Sequence, residues 1–216
     1  MAAVPMKPQY GPTLGRLLAP RWHAAPRRAR WAVMALGIAL VALIIGAALT
    51  LENAKFSRGG SVPFSFSYRG LYRVTPEAGS YVKVQRRSSS GRLEDSFAVR
   101  PLRLPAYSGG LSGELPLYAA GHRKVLAQRD PQLVLRGEGK TRVNTVPAYN
   151  IFYTTVVDGR LMYGRNVLLL PEKSGAREGV EIVMLTSATA NPQVTSPSLV
   201  ASAGILERPV ETFSIG

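Results

Sequence analysis

The chain has no cysteine, and its two histidines are His23 and His122. Without cysteine there is neither a disulfide framework nor a thiolate for zinc, so any folded part must be held by an apolar core. One or two histidines also fall short of the three or four close ligands a zinc site needs. Acid is scarce as well: 13 Asp and Glu stand against 27 Lys and Arg, and every acid follows residue 51. No G-x-S-x-G turn occurs, so a Ser-His-Asp triad would have to be built on His122. Helical phase sets His122 between Tyr118 and Val125, which predicts a packed, hydrogen-bonded ring.

A further absence is of charge. From Trp31 to Leu51 no charged residue occurs, and Gly37, Gly46 and Thr50 are the least apolar positions in the run. At about 1.5 Å per residue, a helix over 31–51 is roughly 30 Å long, the thickness of a bilayer's hydrocarbon core. A transmembrane helix is therefore expected there. A cleaved signal peptide is the competing reading, with Gly46, Ala47 and Ala48 as small residues for processing, but such apolar regions are shorter and follow a shorter basic start. Lys7, Arg16, Arg21, Arg27, Arg28 and Arg30 precede the run without a single acid, so the positive-inside rule places the amino terminus in the cytoplasm. Residues 1–30, with five prolines and few large apolar side chains, read as a disordered basic cytoplasmic tail. Residues 52–61 read as a linker and 62–216 as one extracytoplasmic domain.

Within that domain "VPFSFSY" alternates, with Val62, Phe64, Phe66 and Tyr68 on one side, as a half-buried strand requires. "YVKVQRR" and "SFAVRPLRL" read as strands separated by a flexible basic stretch, "RRSSSGR". "GELPLYAAGHRKVLAQR" switches to helical period, with Leu115, Tyr118, Ala119, Val125 and Leu126 on one face and Pro116 in the first turn. "QLVLRGEGKTRVN" reads as two short strands about a glycine turn. Asp158 and Gly159, between two runs rich in β-branched and aromatic residues, predict a hairpin with a type I′ turn. "VEIVMLT" follows as a strand, Ser196 and Pro197 open a short helix to about Ile205, and "PVETFSI" closes as a strand. The order predicts an α+β fold, an antiparallel-sheet domain with two helices behind the transmembrane helix, with an all-β sandwich as the alternative.

The order resembles the PsbP-like α/β sandwich through "FSFSY", "VPAYNIFYTTVVDGRLMYGRNVLLL" and "ILERPVETFSI". Members of that family are typically non-catalytic accessory or assembly proteins, so the resemblance implies binding rather than chemistry. The anchor and basic leader depart from the family's usual pattern, and no family residue carries over as a site.

Motifs for chemistry are few. "GEGKT", from Gly137 to Thr141, ends like a P-loop, but the motif's first glycine would fall on Val134 and no helix opens after it, so a tight turn is expected. Glu94 and Asp95 are the adjacent acidic pair, expected to be solvated at a strand edge. No catalytic, metal or cofactor-binding residue is singled out, and no cofactor is expected. Lys83, Arg86, Arg87 and Arg92 are the candidate contact for an anionic partner, whether lipid headgroups, anionic envelope polymers or another envelope protein's acidic patch. The expected function is a single-pass membrane-anchored envelope protein with a non-enzymatic interaction or assembly domain. An envelope hydrolase is the alternative, which a deep pocket of convergent titratable residues would favour. Nucleic acid is an unfavoured partner, since it would have to bind the cytoplasmic tail.

Overall fold

The computed structural model describes residues 26–50, 54–173 and 175–216, with the side chains at 29, 30 and 44–50 outside that description. Contacts divide the chain into two compact units, Met1–Glu52 and Asn53–Gly216. The expected leader over residues 1–25 lies outside the described residues.

In the first unit α1 spans Arg27–Thr50. Trp31, Val33, Met34 and Leu36 point to different sides of this helix, yet all are exposed. Among the described residues no helix is long and apolar enough to cross a membrane.

The second unit is α+β. Its strands are β1 (Ala54–Arg58), β2 (Phe64–Tyr68), β3 (Tyr72–Val74), β4 (Val82–Arg87), β5 (Leu93–Arg103), β6 (Val134–Val143), β7 (Val146–Val157), β8 (Arg160–Leu169), β9 (Glu178–Ser187) and β10 (Ser214–Ile215). The helices are α2 (Leu111–Arg129), between β5 and β6, and the short α3 (Glu207–Glu211). Seven strands form one antiparallel sheet in the order β3-β4-β5-β9-β8-β7-β6, and β1-β2-β10 form a second.

Alternation along the strands gives the large sheet two buried faces. Phe97, Val99, Val167, Val180, Ile182 and Met184 meet Phe64, Phe66 and Phe213 on one side. Leu102, Ile151, Leu168 and Leu170 meet Leu115, Ala119 and Leu126 of α2 on the other. The helix covering a full face rules out the all-β alternative. Strands β7, β8 and β9 run consecutively, and the β7–β8 turn is built on Asp158 (φ 52°) and Gly159 (φ 72°), both left-handed as a type I′ turn demands.

Several expectations need correction. The stretch 52–61 is not a bare linker, because β1 lies inside it, hydrogen-bonded along β2 from Ala54 opposite Tyr68 to Arg58 opposite Phe64. Helix α2 starts at Leu111, so Pro116 falls inside it rather than in the first turn, and Val125 is exposed instead of packed. "GEGKT" is no turn. It lies in the middle of β6, continuous against β7 except for a register shift between Leu135 and Gly137, and neither Gly137 nor Gly139 has a positive φ. The ladder to β7 outweighs the local preference of two glycines, and the reversal comes at Asn144, with φ 54°. Near the end of the chain the helix expected from Ser196 to Ile205 shrinks to a 3-10 turn, Pro197–Leu199, to which Ser196 gives no side-chain cap. The expected closing strand instead begins as α3, which leaves only β10.

Candidate functional site

The helix-covered face of the large sheet holds more than a core. Between α2, the β5 end and the 77–79 turn lies a cleft of about 670 Å³, bounded by Glu77, Arg100, Tyr118, His122, Arg129 and Glu181 among others. Its position follows from strand parity. Val180 and Ile182 pack on the opposite core, so Glu181 between them must project toward α2. It does so almost without water contact, at 4% exposure.

A carboxylate so placed needs donors. Glu181 Oε1 accepts from Asn166 Nδ2 at 2.6 Å and shares a 2.7 Å hydrogen bond with His122 Nε2. Asn166 is oriented in turn by Tyr153, whose hydroxyl donates to Asn166 Oδ1 at 3.0 Å. Burial, with a smaller contribution from the Glu181 charge, pushes the Tyr153 phenol well above its ordinary value, which keeps it a donor. A buried line thus runs Tyr153, Asn166, Glu181, His122, ending at the cleft. Tyr118 stacks on the His122 ring at 5.7 Å and 19°, and burial followed by the Glu181 charge raises its phenol too.

The expectation of a packed, hydrogen-bonded His122 holds, with 10% of its side chain exposed. Its partner could not be read from sequence, because Glu181 lies 59 positions away. Helical phase placed His122 on the covered face. The signal that would have found Glu181 is the acid that interrupts the apolar run "VEIVML" at its second position.

At the cleft edge Arg100 donates to Glu77 Oε2 at 3.1 Å and to Ser80 Oγ at 3.3 Å, while Lys83 pairs with the other oxygen of Glu77. The Lys83 hydrogen bond, the largest influence, holds the Glu77 carboxyl below its ordinary range. Arg129 also borders the cleft, and no carboxylate lies within ion-pairing distance of it among the described residues.

The four basic residues singled out in sequence do not form one surface. Lys83 faces the α2 side and is taken up by Glu77. Arg86 sits opposite Asp95 in the register and binds Asp95 Oδ2 at 2.7 and 2.8 Å, with Glu94 at 3.3 Å. Asp95, expected to be solvated, is fully buried and also accepts from Thr186 Oγ1 at 2.6 Å and Asn191 Nδ2 at 2.8 Å. Buried acceptors of this kind persist where every lone pair finds a donor. Arg87 donates to the Gly91 carbonyl at 2.7 Å across the β4–β5 turn, and Arg92 is exposed beside it. Only this last pair remains available as a surface contact. Among the described residues no group of three or more His, Cys, Asp or Glu is placed to hold a metal ion.

No family model and no curated protein matches the chain. Solved structures do. The chain is similar to LpqN, involved in cell envelope biogenesis of Mycobacterium tuberculosis, with a TM-score of 0.51 and 8% identity over 76% of this chain and 91% of that one. It is also similar to the cyanobacterial PsbP (CyanoP) of Synechocystis sp. PCC 6803, with a TM-score of 0.49 and 15% identity over 77% of this chain and 94% of that one. The match to LpqN shows a likeness of fold.

Proposed function

We propose that the chain is a single-pass, membrane-tethered envelope protein whose extracytoplasmic domain binds a ligand, or a group on a partner, in the cleft beneath α2 without catalysing a reaction on it. The observation that carries the binding role is Glu181, buried, oriented by Asn166 and His122, and opening on a cavity of about 670 Å³. Cavities of that size with a few fixed polar groups are where ligands bind. The non-catalytic reading is favoured because the cleft lining holds no Ser, Thr, Cys or Lys, and of the other side chains there able to attack, Glu77, His122 and Glu181 are already held by neighbouring side chains. The tether is supported by the uncharged run from Trp31 to Leu51, its arginine-rich leading flank and the apolar side chains exposed all round α1. An envelope location agrees with the role printed for LpqN. Arg87 and Arg92 are the remaining candidates for contact with anionic lipid or an anionic envelope polymer.

The test is native mass spectrometry of the full chain purified from membranes in mild detergent. A co-purifying ligand, lost when Val125→Trp fills the cleft wall, supports the reading. A chain with no adduct, or with the same adduct after that substitution, contradicts it.

The envelope hydrolase is the second reading, favoured by one observation: His122 and Glu181 form a hydrogen-bonded acid and base pair at the cleft. Turnover of an envelope substrate by the full chain, abolished by His122→Gln, would establish it.

A further inference from the structure

Glu181 is unusual in what it lacks. Its Oε1 takes both floor donors, and Oε2 makes no hydrogen bond among the described residues. That oxygen is not sealed off, because the sole buried side-chain nitrogen or oxygen without a partner among the described residues is Arg123 Nε. Oε2 therefore opens to the cleft that Glu181 borders.

Among the described residues no Lys or Arg is ion-paired with this carboxylate. Arg100 lies directly opposite Glu181 in the β5–β9 register, yet its guanidinium is turned to Glu77 and Ser80. Asn166 and Tyr153 are neutral donors, and His122 brings a charge only when protonated. A desolvated carboxylate gains most from a charge-assisted hydrogen bond, and the free oxygen is the place for one. Arg129, also bordering the cleft, has the converse need, a guanidinium with no carboxylate beside it among the described residues. Arg100 and Glu77 are taken up with each other, so the unbalanced charges bordering the cleft are Glu181 and Arg129. A molecule bearing both charges satisfies both ends.

Resting on the reading of the cleft as a binding site, we propose that it takes a zwitterionic ligand, such as an amino acid or a short free peptide, with its cationic nitrogen on Glu181 and its anionic group at Arg129. The two ends divide the work. Glu181 supplies the desolvated, oriented contact, and Arg129 selects for the second charge.

Isothermal titration of the full chain in detergent micelles with three probes of equal chain length tests this: ε-aminocaproate, hexylamine and caproate. ε-Aminocaproate should bind tightest and caproate weakest. Glu181→Gln, which keeps an acceptor for Asn166 and His122, should weaken both amines about tenfold or more while caproate binds no more weakly, as expected when a hydrogen bond to a charged group is lost. Arg129→Ala should erase the advantage of ε-aminocaproate over hexylamine. Should Glu181→Gln fail to fold, Val125→Trp blocks the cleft while sparing Glu181 and must abolish amine binding. Caproate binding as well as the amines, with Val125→Trp abolishing it, overturns the zwitterion while the cleft remains a binding site. Amines that bind Glu181→Gln as well as wild type, or that fail to bind wild type at millimolar concentration, overturn the proposal; failure of the cleft itself is read separately, from a co-purified ligand that Val125→Trp leaves in place.

Discussion

Arg86 and Asp95 face each other across β4 and β5, and the carboxylate is completely buried while the guanidinium remains partly exposed. Thr186 and Asn191 close the other oxygen, so the group works as an internal clamp between the β4–β5 hairpin, β9 and the chain that follows it.

Replacing Asp95 with Ala would take the acceptor from Thr186, one of two acceptors from Asn191, and leave the partly exposed Arg86 with Glu94 alone. The expected loss is about 1–3 kcal/mol, the cost of losing a hydrogen-bonded carboxylate whose charged partner still reaches water and a second acid. Urea unfolding followed by tryptophan-independent far-UV circular dichroism measures it. Arg92→Ala, at an exposed position without an ion pair among the described residues, should change stability by less than about 0.5 kcal/mol in the same assay.

Gly164 lies opposite Tyr153 in the β7–β8 ladder, and the phenol ring occupies the space above it. A Cβ there would sit 2.3 Å from two ring carbons. Gly164→Ala must therefore displace Tyr153, at a cost of about 1–3 kcal/mol for overpacking. Because Tyr153 orients Asn166 and through it Glu181, the variant should also weaken amine binding in the cleft. Gly175→Ala, at a loop glycine with open space around it, would strain its left-handed backbone but leave binding unchanged.

The raised Tyr153 phenol has a consequence for alkaline stability. A group whose value is higher in the folded state stabilises the fold below its unfolded value and loses that contribution as pH rises beyond it. Tyr153 should therefore add to a decline above about pH 10, where an unfolded tyrosine ionises freely. Tyr153→Phe should lose about 1 kcal/mol near neutral pH through the missing hydrogen bond, yet fall less steeply at alkaline pH than wild type. Equal slopes in the two proteins would show that Tyr153 plays no part.

Leu43 is 70% exposed on α1. If that helix lies in a bilayer, Leu43→Arg opposes insertion by about 3 kcal/mol. Carbonate extraction of membranes reads the result, with the variant shifting toward the soluble fraction and an unchanged distribution arguing against a span.

What could be read in the sequence was what is local. Phe64, Phe66 and Tyr68 alternate because one side of β2 is buried, and Asp158-Gly159 announces its turn because few other pairs accept two left-handed residues. β6 departs from its local pattern for the complementary reason: Gly137 and Gly139 favour a turn locally, whereas pairing with β7, invisible in that pattern, keeps them extended. Arg86 looked like a free cation because its partner Asp95 sits across a hairpin and owes its burial to Thr186 and Asn191, far along the chain. The cleft has no local signature for the same reason. Tyr153, Asn166 and Glu181 come from three neighbouring strands and His122 from the helix laid over them, so no window of sequence contains the site.

Site-specific photocrosslinking in intact cells tests the cleft most directly. A photoreactive residue at Val125, on the cleft wall, should capture a discrete adduct that Glu181→Gln diminishes, while the same group at Leu161, exposed on β8, should not. Equal capture at the two positions, or an adduct at Val125 indifferent to Glu181→Gln, would contradict a binding role for the cleft.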